Sequence, residues 1–544
     1  MKKSKIITTI LVSTSVLLSG CEKFLIRDNP TGITDDRFWR VESDLTSYLE
    51  TIYNNAIPAG ALITDGGTYQ ANSLMQMSGI TDEGVSRANF GSWQNFPIGL
   101  LTPSDGYISD VYRYNYANIS DCSRILENYQ NVYIANDELK KRYAAEARAL
   151  RAYAHLKLYE FFGVVPIVDH SIKFSDEDAK NLPRPTEADL VAFISRELDE
   201  AAKDLPTSYN VDQAYRMSRG ACHALQVRLY MNNKNYPKAI EYAKKLIDLN
   251  VYQLWKSNSS KNSYASLFSY DAQNNSERIL FRRAGNKGIA GRMGPASVVA
   301  NGQATISATG ALINTYETKQ GKNLNELPAD SIAIYKKTPN YNNNRDPRLS
   351  TSVLLPGARF VRPYDPFNNA TDLVGKTFAT VTGALCTKYL QEEDYNKGFG
   401  GATINFMVIR YAEILLSYVE ALVESGDWQN PDVKKYLNEI RNRAGLPTYN
   451  EAIYNSQAKI RELYRRERFL ELAFEGTRLI DIRRWRIGTE VLNGPAYGLI
   501  DPKTNEVVKV EDRVFDANRD YLWPIPQTEI NNNTGLNGQN NPGW

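Results

Sequence analysis

Residues 218–249 read SRGACHALQVRLYMNNKNYPKAIEYAKKLIDL. Together with Met217, the residues Ala221, Ala224, Leu225 and Leu229 recur at helical spacing and make one apolar stripe. Asn232-Asn233-Lys234-Asn235 breaks the pattern with four polar residues, a turn signal. Tyr236-Pro237-Lys238-Ala239 opens a second run, where a proline in the first turn costs no hydrogen bond. Ala239, Ile240, Ala243, Leu246 and Ile247 supply the second stripe. Small residues on both stripes let the two helices approach closely, so the segment predicts a helical hairpin.

Residues 409–443 repeat this design. Ile409, Ala412, Leu416, Val419 and Val423 precede a turn at Ser425-Gly426-Asp427-Trp428, and Val433, Leu437 and Ile440 follow it. Both hairpins resemble tetratricopeptide units, which leave one apolar face open and must stack on a neighbour. Their separation along the chain predicts an interrupted solenoid. Tyr143 to Phe162 is a further helix, with Ala145, Ala149, Ala152, Tyr153, Leu156 and Tyr159 on one stripe, stopped by Gly163 and Pro166. Thr186 to Leu205 is another, with Thr186 as N-cap, Asp189 three residues on, and Pro206 closing it.

Between the hairpins, residues 252–406 are rich in Gly, Asn, Ser and Thr, with aromatics at no helical period, and Tyr69 to Tyr107 is similar. Long segments of this kind inside a compact protein are usually functional surface or short, irregular elements. The expected fold is mostly α: a scaffold of helical hairpins carrying long irregular loop regions and few short strands. No linker is poor enough in apolar residues to mark an independent domain boundary.

The chain has 544 residues, 42% hydrophobic and 23% charged, which excludes a disordered or multi-spanning protein. Its 34 Tyr outnumber its 18 Phe, which suits a wet recognition surface. Lys2, Lys3 and Lys5 precede the apolar stretch Ile6 to Leu18, and Leu18-Ser19-Gly20-Cys21 follows. This is the pattern of a secretory signal. Thirteen apolar-region residues fall short of the ~20 needed to span a bilayer. The Leu-Ser-Gly-Cys order resembles the bacterial lipoprotein box, which implies cleavage before Cys21 and lipidation of that residue. Removing residues 1–20 leaves 61 basic against 62 acidic residues, a balance that argues against a nucleic-acid partner. Cys122, Cys222 and Cys386 lie too far apart for a small disulfide framework and read as buried apolar residues.

Motifs for catalysis are missing. Gly375-Lys376-Thr377 has Ala370 where a phosphate-binding loop needs Gly, and Gly84-Val85-Ser86-Arg87-Ala88 lacks the second Gly of a nucleophile elbow. His155, His170 and His223 have no partner His within a turn and read as structural or exposed. The densest charged cluster runs from Arg465 to Arg484. Glu467, Glu471 and Glu475 repeat at four-residue spacing there, and two of them could form a glycosidase pair. Interleaved arginines argue instead for an ion-pair network, because they depress carboxylate pKa values, the wrong direction for a general acid.

A resemblance covers most of the chain. Phe24-Leu25 and Phe38-Trp39 come first, then Arg148-Ala149-Leu150-Arg151-Ala152-Tyr153 and Phe162-Gly163-Val164-Val165-Pro166. Arg345-Asp346-Pro347-Arg348, Arg410-Tyr411-Ala412-Glu413-Ile414-Leu415-Leu416, and Glu467-Arg468 with Glu471-Leu472-Ala473-Phe474-Glu475-Gly476 follow. Asp481-Ile482-Arg483-Arg484-Trp485, Leu522-Trp523-Pro524-Ile525-Pro526 and Asn541-Pro542-Gly543-Trp544 complete the set. In this order behind a lipoprotein box, they resemble the SusD/RagB family of outer-membrane nutrient-binding lipoproteins. Trp544 departs from the family's usual final aromatic. The resemblance implies four tetratricopeptide-like pairs in one SusD-like domain over 21–544 after a signal peptide at 1–20. The scaffold would occupy about 35–57, 105–250 and 404–486, and ligand-facing loops about 60–107 and 252–403. It implies a lipid-anchored, surface-facing protein on the outer membrane that binds a glycan, or in some branches an oligopeptide, without catalysis. It implies a SusC-like TonB-dependent transporter as partner. It implies no cofactor and leaves a structural calcium open. A secreted hydrolase is the remote alternative.

Ligand contacts of such proteins lie in variable loops, so candidates come from elimination. Trp39, Trp485, Trp523 and Trp544 sit in shared motifs, Trp428 in a turn, and Trp255 after a helix end. Trp93, in Gly91-Ser92-Trp93-Gln94-Asn95-Phe96, remains as a stacking platform for a sugar ring, or else a buried loop anchor. Asn95, Tyr69, Arg292 and Tyr341 are further candidates from the same loops.

Overall fold

The computed structural model describes residues 38–57, 64–65, 68–69, 74–86, 91–172, 177–258, 262–283, 289–298, 302–337, 340–396 and 401–544. The proposed signal, Cys21 and the Phe24-Leu25 pair lie outside the described residues.

The scaffold starts with α1 (Glu42–Ala56), α2 (Gly106–Asn128) and α3 (Asp137–Phe162), and continues through α4 (Glu187–Asp204), α5 (Arg219–Asn232) and α6 (Tyr236–Ile247). After the long middle come α7 (Tyr411–Glu424), α8 (Pro431–Ala444), α9 (Gln457–Glu471) and α10 (Arg478–Trp485). Local chemistry sets the starts. The Thr186 hydroxyl accepts from Asp189 N–H, and Asp189 accepts from that hydroxyl at 2.6 Å, so the expected cap is made in both directions. Ser218 caps α5, Asn235 caps α6, and Lys234 takes the left-handed backbone (φ 59°) that closes the turn between them. The helix expected from Tyr143 begins six residues earlier, where Asn136 accepts from the N–H groups of Glu138 and Leu139. Ile409, expected in a helix, lies in a strand that runs to Arg410, and α7 begins at Tyr411.

Consecutive helices pack from α1 to α8, and α9 also packs on α7. The important contact is α6 against α7. The solenoid expected to be interrupted is interrupted only in sequence; in space residues 248–410 bulge from a continuous stack. Strand β2 (Arg278–Arg282) pairs antiparallel with β6 (Phe406–Arg410) and clamps the stem of the bulge. A four-stranded antiparallel sheet knits the two loop-rich regions together: β1 (Gly84–Ser86) from the first pairs with β3 (Ile306–Ala308) of the second, followed by β5 (Leu385–Cys386) and β4 (Val353–Leu354). Near the C-terminus β7 (Gly494–Ile500) and β8 (Val507–Arg513) form a hairpin. The main apolar cluster among the described residues extends from Trp39 to Leu536, with smaller ones around Tyr364 and around Phe515. Cys122, Cys222 and Cys386 are buried and free. No described helix is long and apolar enough to cross a membrane.

Candidate functional site

The motif residues converge first on a buried charge lattice. Helix α9 carries Glu467 and Glu471, ends there, and a turn with Phe474 at φ 62° and Gly476 at φ 79° brings Glu475 back beside them. Glu471 accepts from Arg410 (2.7 Å), from Arg348 (3.4 Å) and from Arg443. Glu475 accepts from Arg410 (2.7 Å) and Lys388 (2.5 Å), while Glu467 accepts from Arg441 and forms an ion pair with Arg348 at 3.0 Å. Burial would raise these carboxyls, but the guanidiniums win. Arg443, Arg410 and Arg348 hold Glu471 down to about 2; Glu467 and Glu475 are also lowered. Buried among guanidiniums that favour their ionised forms, these carboxyls are poorly suited to deliver a proton to a glycosidic oxygen. The lattice joins Glu277 on the bulge stem, Arg348 and Lys388 in the bulge, and Arg410, Arg443 and α9 in the scaffold. The neighbouring motif is wired alike: Asp481 binds Arg468 and Arg484, and Arg484 and Trp485 both reach Glu420.

The remaining motifs close an aromatic cluster on Trp523. Phe161 stacks on it at 4.5 Å, and Trp93, Phe96, Tyr107 and Phe162 meet it edge-on. Arg483 lies 5.2 Å above the ring, its pKa pushed down to about 9 by burial. Asn541 ties the cluster to the chain end by donating to Phe162 O and Trp523 O.

This placement corrects the expectation for Trp93. The side chain is 3% exposed, its indole donates to Gln76 O at 3.2 Å, and Tyr107 covers it at 4.1 Å. With no open face it cannot stack on a sugar, and it serves as the loop anchor. Tyr341 is corrected on the same ground: it is 2% exposed, and its hydroxyl accepts from Ile500 N–H of β7. Asn95 and Arg292 are half-buried and already engaged, Asn95 donating to Asp105 (3.1 Å) and Arg292 to Gln303 (2.7 Å). Tyr69 pairs its backbone with Thr64 in a two-residue strand. Trp93 and Asn95 share the short turn Gly91–Asn95, while Tyr69, Arg292 and Tyr341 make their contacts with other segments. His155 is neutral by burial, held down to about 4, its Nδ1 against Arg151 O and its Nε2 accepting from Val168 N–H.

An open recess lies elsewhere. Hairpin β7/β8 faces the short helix Gly310–Thr315 across a cleft of about 370 Å³. Two glycines permit the approach. A Cβ on Gly310 would meet Gly498 O at 2.7 Å, and one on Gly498 would meet Thr382 O at 2.2 Å. The walls are braced: Arg478 pairs with Asp82 (2.7 Å), Arg513 donates to Thr81 O and Gly84 O, and Thr309 donates to Asp82 O. Onto this rigid frame project Tyr497, 45% exposed, and the exposed amide of Asn314. A planar ring beside a hydrogen-bonding amide is a chemistry that can hold a sugar, C–H face on the ring and hydroxyls on the amide. The sequence signal was weak: Val507, Val508 and Val510 suit a strand after the turn Asp501-Pro502-Lys503-Thr504-Asn505-Glu506, but the partner run Gly494-Pro495-Ala496-Tyr497-Gly498 is rich in residues that strands avoid.

Helical hairpins stacked in series, with a loop-built bulge and a surface cleft, define a helical-repeat protein that presents its recesses on inserted loops. The chain belongs to the SusD family, whose model matches residues 252–544. A second model, described as starch-binding associating with outer membrane, matches residues 35–231. The chain is 27% identical to SusD-like protein P2 of Formosa agariphila over the whole of both chains. A SusD-like carbohydrate-binding protein of Bacteroides fragilis superposes with a TM-score of 0.81 at 28% identity, covering 92% of this chain and 99% of that one. A second SusD-like protein of B. fragilis gives 0.79 at 26% identity, covering 94% and 99%.

Proposed function

We propose that this protein is a lipid-anchored lipoprotein of the outer-membrane surface that captures a nutrient glycan and passes it to a SusC-like TonB-dependent transporter. It acts by binding and not by catalysis. The observation that carries the reading is the braced cleft with Tyr497 and Asn314, in a family whose member at 28% identity is a carbohydrate-binding protein. The Leu18–Cys21 box supports the anchor, and the paired state of Glu467, Glu471 and Glu475 supports the absence of hydrolysis.

A ring covering roughly 50–80 Å² of sugar contributes about 1–2 kcal/mol. Two or three such platforms plus hydrogen bonds, less the ordering cost, leave ~4–7 kcal/mol, a dissociation constant from about 1 mM to about 10 μM, and Tyr497 supplies one of them. Weak capture suits a protein that must release its cargo. The test is migration of the signal-less protein through gels containing plant, microbial or host polysaccharides. Tyr497→Ala is expected to lose the retardation given by the cognate polymer. Retention of every polymer's effect by Tyr497→Ala discards the cleft; no retardation by any glycan, together with binding of pooled oligopeptides, discards the glycan.

A further inference from the structure

Asn314, which lines the aromatic cleft, also lines a second hollow of about 540 Å³. The two recesses therefore adjoin, yet their chemistry differs. Among the described residues no aromatic ring lines the second, and its walls carry amides, three cations and two carboxylates. Four of these five charges are committed. Arg466 pairs with Glu317 at 2.5 Å, and Lys459 with Glu462 at 2.8 Å. Glu326 folds back on its own turn, accepting from the side chain and backbone of Asn323 at 2.6 and 3.1 Å. Lys336 is the exception. It follows the short helix Ala329–Tyr335, is half-buried, and makes no ion pair among the described residues. An ammonium without an ion-pair partner, in a recess lined by three cations against two carboxylates, is a receptor for an anion, and partial burial strengthens the contact over that of a free surface lysine.

Resting on the glycan reading, we propose that the adjoining recesses form one bipartite site for an acidic oligosaccharide. Tyr497 stacks on one sugar ring, and Lys336 takes the anionic substituent of a unit further along the chain. Carboxylate of a uronic acid and sulfate ester share that chemistry.

The experiment titrates the full mature chain with three oligosaccharide sets of matched length: neutral galactan, sulfated galactan, and oligogalacturonate. Native protein, Lys336→Gln, Tyr497→Ala and the exposed neighbour Lys337→Gln as control are compared at low and high salt. Tighter binding of one acidic set, weakened roughly three- to tenfold by Lys336→Gln and by salt but unchanged by Lys337→Gln, is the expected result. Which acidic set binds identifies carboxylate or sulfate. Neutral chains bound through Tyr497, with no preference for acidic ones, overturn the inference and leave the glycan reading standing. An acidic preference that survives Lys336→Gln also overturns it. Silence with all three sets overturns both.

Discussion

Glu83 offers the sharpest test of the interior electrostatics. It precedes β1, directly behind the cleft wall, and is 1% exposed. Its Oε2 accepts from Phe474 N–H at 3.3 Å, while the nearby guanidinium of Arg478 is taken by Asp82. Burial therefore dominates and pushes the carboxyl from its ordinary 4.5 up to about 8. The folded state keeps a proton that the unfolded chain loses above about pH 4.5, so stability falls as pH rises from 4.5 through 8. At ~1.4 kcal/mol per unit, the group costs about 3 kcal/mol at pH 7 and under about 1 kcal/mol at pH 5. Glu83→Gln keeps the shape and the acceptor for Phe474 N–H but removes the ionisation. It should stabilise the protein by about 3 kcal/mol at pH 7, with the gain shrinking several-fold by pH 5. At about 2.1 cal/mol/K of unfolding entropy per residue, that gain moves Tm by about 3 °C for a chain unfolding as one unit. Scanning calorimetry of both proteins from pH 5 to 8 measures it. A variant no more stable at pH 7, or equally favoured at pH 5, would refute the assignment of a protonated Glu83.

The charge lattice predicts the opposite sign. Glu471, held near 2, contributes stability that is present above its ordinary 4.5 and is lost as pH falls toward 2. Glu471→Gln, leaving three buried guanidiniums short of an anion, should cost about 3–5 kcal/mol at neutral pH, with the deficit roughly halved by pH 3 in denaturant titrations. Gly498→Ala should cost about 1–3 kcal/mol and weaken glycan retention, because its Cβ collides with backbone that cannot retreat. Gly106→Ala, whose Cβ meets nothing within 4 Å, is the neutral control, and equal behaviour of the two would contradict the packing argument.

The helices were legible where one face repeats apolar residues and a cap marks the start, as at Thr186 and Ser218. Helix α3 was longer than its stripe because Asn136 supplies a cap ahead of the periodic residues. The contact of α6 with α7 was not legible, since no local pattern encodes a meeting between segments so distant in sequence. The charged motifs were legible as an ion-pair network but not in their partners: Glu467, Glu471 and Glu475 pair with Arg348, Lys388, Arg410, Arg441 and Arg443 from distant segments, while the interleaved Arg466 and Arg468 turn to Glu317 and Asp481. The site was legible in kind but not in place. Trp93 carries polar neighbours, which suggested exposure, yet the residues covering it, Tyr107 and Trp523, come from other segments. Tyr497 was overlooked because one exposed tyrosine among 34 has no sequence mark; its hairpin has a weak one, and only the opposing Gly310 helix makes the hairpin a wall.

The contact of α6 with α7 also bears on how such a chain diversifies. Because the bulge leaves and rejoins the stack at neighbouring points, its length is nearly irrelevant to the scaffold: doubling a closed loop costs only about 0.6 kcal/mol. The surface loops between the paired strands β2 and β6 can be recast or lengthened while the helices keep their partners. What must survive each exchange are the rivets Glu277, Glu317, Arg348 and Lys388, which bolt the bulge to Arg443, Arg441, Glu467 and Glu475, the pairing of β3 with β1, and bulge residues such as Leu312, Ile313 and Leu349 that pack in the main core. New appetites can thus be acquired by rewriting one stretch of gene between fixed ends, with the molecule's foldedness insulated from the experiment.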